Sequence, residues 1–104
     1  MPAAASRIRL DLNSPEFQDV FFRLGLAELK QVVAALHRLR ELDWNGLYRH
    51  AGFRWEGIQH LKAPNGGRVY SLRVSPKVRA LAYGDGDFLR FVSLHPDHDS
   101  AYRD

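Results

Sequence analysis

Residues 68–83 read Arg68-Val69-Tyr70-Ser71-Leu72-Arg73-Val74-Ser75-Pro76-Lys77-Val78-Arg79-Ala80-Leu81-Ala82-Tyr83. Tyr70, Leu72 and Val74 alternate with Ser71 and Arg73, the two-residue period of a strand with one face buried. Ser75-Pro76 interrupts that run. In the next, over 77–83, Arg79, Leu81 and Tyr83 share a face. Gly84-Asp85-Gly86-Asp87 has the composition of a hairpin turn. A third run, 88–95, is mostly apolar on both faces, which predicts a strand inside the sheet and covered on both sides. Pro96 ends it. A three-stranded antiparallel meander is therefore expected, closed by the segment Pro96-Asp97-His98-Asp99-Ser100-Ala101-Tyr102.

Upstream, Pro64-Asn65-Gly66-Gly67 is a turn that delivers the chain into the meander. Residues 47–67 scatter Leu47, Phe53, Trp55, Ile58 and Leu61 among polar residues and support no definite element. Asp43-Trp44-Asn45-Gly46 reads as a turn, and Trp44 and Trp55 as rings that seal helices against the sheet. Between Leu26 and about Leu42 an apolar stripe of Leu26, Leu29, Val33, Leu36 and Leu39 predicts a helix. Before it, Ser14 is suited to an N-cap, Pro15 to the first helical position and Glu16 to the positive end of the helix dipole. Phe17, Val20, Phe21 and Leu24 then form one helical face, and the short joint at Gly25 predicts a helical hairpin. Ile8-Arg9-Leu10-Asp11-Leu12 alternates as a strand does. The fold class expected is α+β: an N-terminal strand, a two-helix hairpin and the meander. Residues 1–6 are expected to form a flexible tail and 7–104 a single domain.

The bulk numbers fit that size. A chain of 104 residues that is 45% hydrophobic and 26% charged has the composition of one globular domain. No apolar run reaches the roughly 18–20 residues of a membrane span, and the Met1-Pro2-Ala3-Ala4-Ala5-Ser6 start lacks the pattern of a secretory signal. With no cysteine, disulfides and thiolate zinc sites are excluded, which accords with a reducing, cytoplasmic setting. The net charge is +3, and its distribution is uneven. Between Glu56 and Asp85 there is no acidic residue, while His60, Lys62, Arg68, Arg73, Lys77 and Arg79 all fall there. That stretch is either a solvated basic rim or an anion-binding surface.

Arg73 and Arg79, if their strand registers agree, make a guanidinium pair suited to phosphate oxygens. His95, His98 and Tyr102 follow on the third strand and its tail. Histidine has the pKa for acid–base work near neutrality, and a tyrosine can join it if nearby cations lower its own. Cleavage of RNA requires a 2′-hydroxyl to be deprotonated, charge on phosphorus to be stabilised and a leaving oxygen to be protonated. These residue types suit all three tasks. The bland alternatives are solvated cross-strand arginines, a structural His95, and a polar cap at Asp97-His98-Asp99. No metal site and no cofactor are expected, because His95, Asp97, His98 and Asp99 follow no strong ligand spacing.

The layout as a whole resembles the RelE/ParE superfamily of type II toxin–antitoxin toxins. The residues that carry the resemblance are Tyr70-Ser71-Leu72-Arg73, Val78-Arg79-Ala80-Leu81-Ala82-Tyr83, and His98 four positions before Tyr102. The resemblance implies an endoribonuclease that cleaves mRNA, with the ribosome as partner and a cognate antitoxin protein as neutraliser. It implies Arg73 and Arg79 as phosphate ligands and His98 and Tyr102 as proton carriers. Lys62, Arg68, Lys77 and His95 would contribute RNA binding. His98, flanked by Asp97 and Asp99, stands where the family usually has an arginine. Two other readings stay open: a toxin of the same fold that inhibits DNA gyrase, and a non-catalytic binding or regulatory protein. None of the three involves a membrane.

Overall fold

The computed structural model describes residues 6–96. They form an α+β fold in which a five-stranded mixed sheet carries three α-helices. The strands are β1 (Arg9–Asp11), β2 (Glu56–Lys62), β3 (Arg68–Ser75), β4 (Val78–Asp85) and β5 (Phe88–Pro96), and the helices are α1 (Pro15–Phe21), α2 (Leu26–Leu39) and α3 (Trp44–Arg49). A 3-10 turn covers Ala51–Phe53. Spatial order is β1-β5-β4-β3-β2. The last four strands in the chain are consecutive antiparallel neighbours, and β1 closes the far edge by pairing parallel with β5.

The meander thus has four strands, not three. β2 escapes a reading by alternation because it is an edge strand whose residues are nearly all exposed or half-buried, so no buried face imprints a period on it. Asp43-Trp44-Asn45-Gly46 is the start of a helix rather than a turn. The Asp43 carboxylate accepts from the Gly46 backbone N–H at 2.7 Å, and an aspartate that caps a helix looks in sequence like one that opens a turn. β5 is interior, as expected, but one-sided. Leu89, Phe91 and Leu94 are buried, whereas Arg90 and Ser93 are half-buried and His95 is exposed. The α2 stripe is displaced as well: Val32, Ala35, Leu36 and Leu39 are buried, while Leu26 and Val33 are 68% and 48% exposed. Leu36 and Leu39 belong to the expected stripe and are buried; a stripe through 29, 33 and 36 and one through 32, 36 and 39 both have helical spacing, and the second faces the sheet.

The core lies between the helices and one face of the sheet. α1 packs on β5 and α2 on β3. Leu72 and Val74 of β3, Val78, Ala80 and Ala82 of β4, and Leu89, Phe91 and Leu94 of β5 supply the sheet side. Phe17, 1% exposed, joins the layers, with ring centroids 5.5 Å from Phe21 and 5.2 Å from Phe91. The alanines of β4 leave room for the helix side chains above them.

Ser14 ties α1 to the sheet. Its hydroxyl accepts from the Phe17 N–H at 3.4 Å and donates to the Val92 carbonyl at 2.7 Å. Val92 is the extra residue of a β-bulge, since Leu81 pairs with Ser93 and Ala82 with Phe91. Ser14→Ala removes a cap and a tertiary hydrogen bond together. It is expected to cost about 1–2 kcal/mol in denaturant unfolding, the upper part of the range for a lost cap.

The second, more polar face of the sheet carries arginines and carboxylates beside half-buried Leu81, Tyr83 and Phe88. Arg90 of β5 sits there between two carboxylates, Asp11 of β1 and Asp85 of β4, and over the Phe88 ring at 4.7 Å. The Asp11 carboxyl is held below its ordinary value of 3.8, first by the Asn13 backbone N–H and then by Arg90. Depression in the folded state means that this stabilisation is complete above the unfolded value. It is lost as pH falls through the lower folded value. The melting temperature of Asp11→Asn should therefore lie below that of the parent at neutral pH, and the gap should close as pH falls below 3.8.

Candidate functional site

The arginines of β3 and β4 differ from Arg90 in one respect. Arg73 and Arg79 are direct cross-strand partners, so their side chains leave the same face side by side. Among the described residues neither has a carboxylate within ion-pair distance. Like charges directly opposite on a sheet are unfavourable. Here the pair is retained, and both residues line an open cavity of about 530 Å³ with Arg54, Trp55, Glu56 and Ser71.

Local structure explains how Arg54 and Glu56 arrive there. Phe53 is anchored in the core at 1% exposure, and the chain must then turn sharply to enter β2. Arg54 makes that turn in the left-handed region, φ 49° and ψ 51°, where it ends the 3-10 turn. It is the one non-glycine residue at positive φ among those described, a conformation that costs free energy and collects at functional sites. The ladder then places Glu56 opposite Ser71, two residues from Arg73 along the same face of β3. Ser71 is 6% exposed, so the floor of the cavity is small and polar. Three guanidiniums and one carboxylate thus meet at the β2–β3–β4 corner of the polar face.

His95 is the β5 neighbour of Arg79, which continues the row Arg73–Arg79–His95 across three strands. Its Nε2 lies 2.7 Å from the Ser93 hydroxyl, which fixes the ring on this face. The remaining expected residues are dispersed. Lys62 and Arg68 pair with each other across β2 and β3, and five residues of strand put Arg68 roughly 17 Å from Arg73. Lys77 is exposed in the tight turn between β3 and β4. His98 and Tyr102 lie outside the described residues. Arg54 and Glu56 carried no signal in the sequence beyond standing at the border of the acid-free stretch.

A second cavity, of about 330 Å³, adjoins the first and shares Trp55 with it. Trp44, Tyr48, Tyr70 and Arg68 line it. Trp55 stacks on Tyr70 with centroids 4.2 Å apart and planes 18° apart. Tyr48 lies 5.8 Å from Trp55 and 6.1 Å from Trp44. The Trp44 indole N–H donates to the Gly86 carbonyl at 3.2 Å. Its ring lies over Gly84, where an added Cβ would come within 3.3 Å of the indole. Burial, and secondarily Tyr70, raises the Tyr48 phenol above its usual pKa of 10.0.

No family model matches the chain, and no curated protein matches it at a significant level. A solved structure to which it is similar is that of a copper-bound mutant toxin from Helicobacter pylori. The two are 17% identical with a TM-score of 0.48, over 86% of this chain and 93% of the other. A likeness this distant carries no argument about chemistry. Among the described residues no helix is long and apolar enough to cross a membrane, and no group of three His, Asp or Glu side chains is placed to hold a metal ion.

Proposed function

We propose that the protein is a toxin-like endoribonuclease that binds the phosphodiester of mRNA at the Arg54–Arg73–Arg79 corner and is neutralised by a cognate antitoxin. The observation that carries the reading is the contrast on one sheet face. Arg90 is matched by two carboxylates, whereas among the described residues Arg73 and Arg79 stand together with no carboxylate in ion-pair contact, and the cavity they line holds a third guanidinium and the single carboxylate of Glu56. A bound phosphate removes their mutual repulsion by accepting from both in the fork geometry guanidiniums favour.

The chemistry is an in-line displacement within the RNA. The 2′-oxygen gives up its proton and bonds to the adjacent phosphorus. The bond from phosphorus to the 5′-oxygen breaks, and that oxygen takes a proton. The products are a 2′,3′-cyclic phosphate and a 5′-hydroxyl. Arg73 and Arg79 stabilise the negative charge that builds on the non-bridging oxygens, a role that gains strength where water is excluded. Glu56 and His95 border the site and suit proton transfer. The resemblance to RelE/ParE toxins adds His98 and Tyr102 for the same task.

The test is incubation of the purified protein with mRNA, with and without translating ribosomes, followed by analysis of the new ends. Cyclic phosphate and 5′-hydroxyl ends are expected, and a cut seen only with ribosomes adds the ribosome as partner. Intact mRNA in both conditions contradicts the reading. Inhibition of gyrase supercoiling by the same preparation would then replace it with the gyrase reading.

A further inference from the structure

We infer that the ring cluster Trp44, Tyr48, Trp55 and Tyr70, with Arg68 at its margin, is a stacking platform for one unpaired nucleobase of a single-stranded RNA. The inference rests on the proposed phosphodiester site and extends it by naming how another nucleotide of the same strand is held. The rings already touch one another, with centroids between 4.2 and 6.4 Å apart. No ligand ring can slide between them. The open surface is Tyr48, 55% exposed on a residue whose ring rests on two tryptophans. Its cavity of about 330 Å³ is at the small end of ligand sites and suits one ring system.

Two features choose a base over other ligands that favour aromatic surfaces. A cage for an organic cation works through the negative ring faces, and a neighbouring guanidinium opposes it. Among the described residues Arg68 lines this cavity and no carboxylate does. A nucleotide instead brings a ring for the platform and a phosphate for Arg68. Single-strand binders combine stacking rings with cations that follow the backbone. The second feature is position. Trp55, at the start of the edge strand β2, lines both this cavity and the one holding Arg73 and Arg79; Tyr70 and Arg73 leave opposite faces of β3, so an RNA strand that reaches both passes around this edge of the sheet. Trp44 is held by its hydrogen bond to Gly86 and by contact with Gly84, which lowers the ordering needed when a base arrives.

Both tryptophans of the chain lie in the cluster, so their fluorescence reports on it. The experiment titrates the full-length protein with a 2′-O-methylated adenosine pentanucleotide, which cannot be cleaved, and with an abasic strand of equal length. Quenching by the first and not by the second is expected. Tyr48→Ala should weaken binding by about 5-fold or more, the effect of losing one stacked base. Tyr48→Phe, which keeps the ring, should bind like the parent. Arg79→Ala separates the two sites. If it weakens binding while Tyr48→Ala does not, the platform is overturned and the phosphodiester site stands. If the parent protein binds neither strand, both fall. Quenching by choline but not by the pentanucleotide would overturn the platform in favour of a cation cage.

Discussion

Arg79→Ala is expected to lower the rate of mRNA cleavage by about 10²–10³-fold, the usual effect of removing one preorganised donor from a developing oxyanion. Arg79 is exposed on β4 and makes no ion pair among the described residues, so truncation forfeits little packing. It also relieves the repulsion with Arg73. The melting temperature should therefore hold or rise while activity collapses, a combination that a structural surface arginine does not produce. Arg79→Lys keeps the charge but loses the planar fork, and should recover only part of the rate. Arg73→Ala should behave like Arg79→Ala, and the double variant should lose less than the product of the two, because both act on one phosphate. Equal rates for the parent and Arg79→Ala would remove the β3–β4 corner from the chemistry.

Phe17→Ala is expected to cost about 3–5 kcal/mol, the range for deleting a buried aromatic ring. Phe17 is 1% exposed and is the ring through which α1 reaches both Phe21 and Phe91. The hole would open between the helix layer and β5, where the neighbours are fixed on a central strand and cannot collapse inward. A domain of this size is stable by only about 5–15 kcal/mol, and each kcal/mol moves its melting temperature by roughly 4–8 °C. The variant should melt well below the parent in calorimetry, with Phe17→Leu recovering much of the loss. A change of less than about 1 kcal/mol would mean that the Phe17 site repacks without a cavity.

How much of this was legible in the sequence depended on whether local chemistry or tertiary pairing made the decision. The start of α1 was legible because Ser14, Pro15 and Glu16 each act within one turn of the helix. The opposed faces of β3 were legible because Leu72 and Val74 are buried and Arg73 is not. β2 was not, because an edge strand without a buried face has no period to read. The α2 face was legible in part: Leu36 and Leu39 are buried as expected, but Val32 and Ala35 are buried in place of Leu26 and Val33, because two overlapping stripes have helical spacing.

The site divides in the same way. Arg73 and Arg79 stood out by residue type, but their direct opposition depends on the β3–β4 register, which is set by the two-residue turn at Pro76-Lys77 and the irregularity between Arg73 and Ser75. Arg54 and Glu56 enter only through the unforeseen β2, by way of a left-handed turn and the pairing of Glu56 with Ser71. Lys62 and Arg68, attractive as charges, lie too far along the sheet to share a phosphate with Arg73, although Arg68 gains a place beside the aromatic platform.

The most direct test of the phosphodiester site is an NMR titration of the isotope-labelled protein with non-cleavable 2′-O-methylated RNA. The largest amide shifts are expected at residues 54–56, 71–73 and 79, and they should shrink in Arg79→Ala. Shifts confined to the helices, or no shift at any RNA concentration reached, would contradict that site.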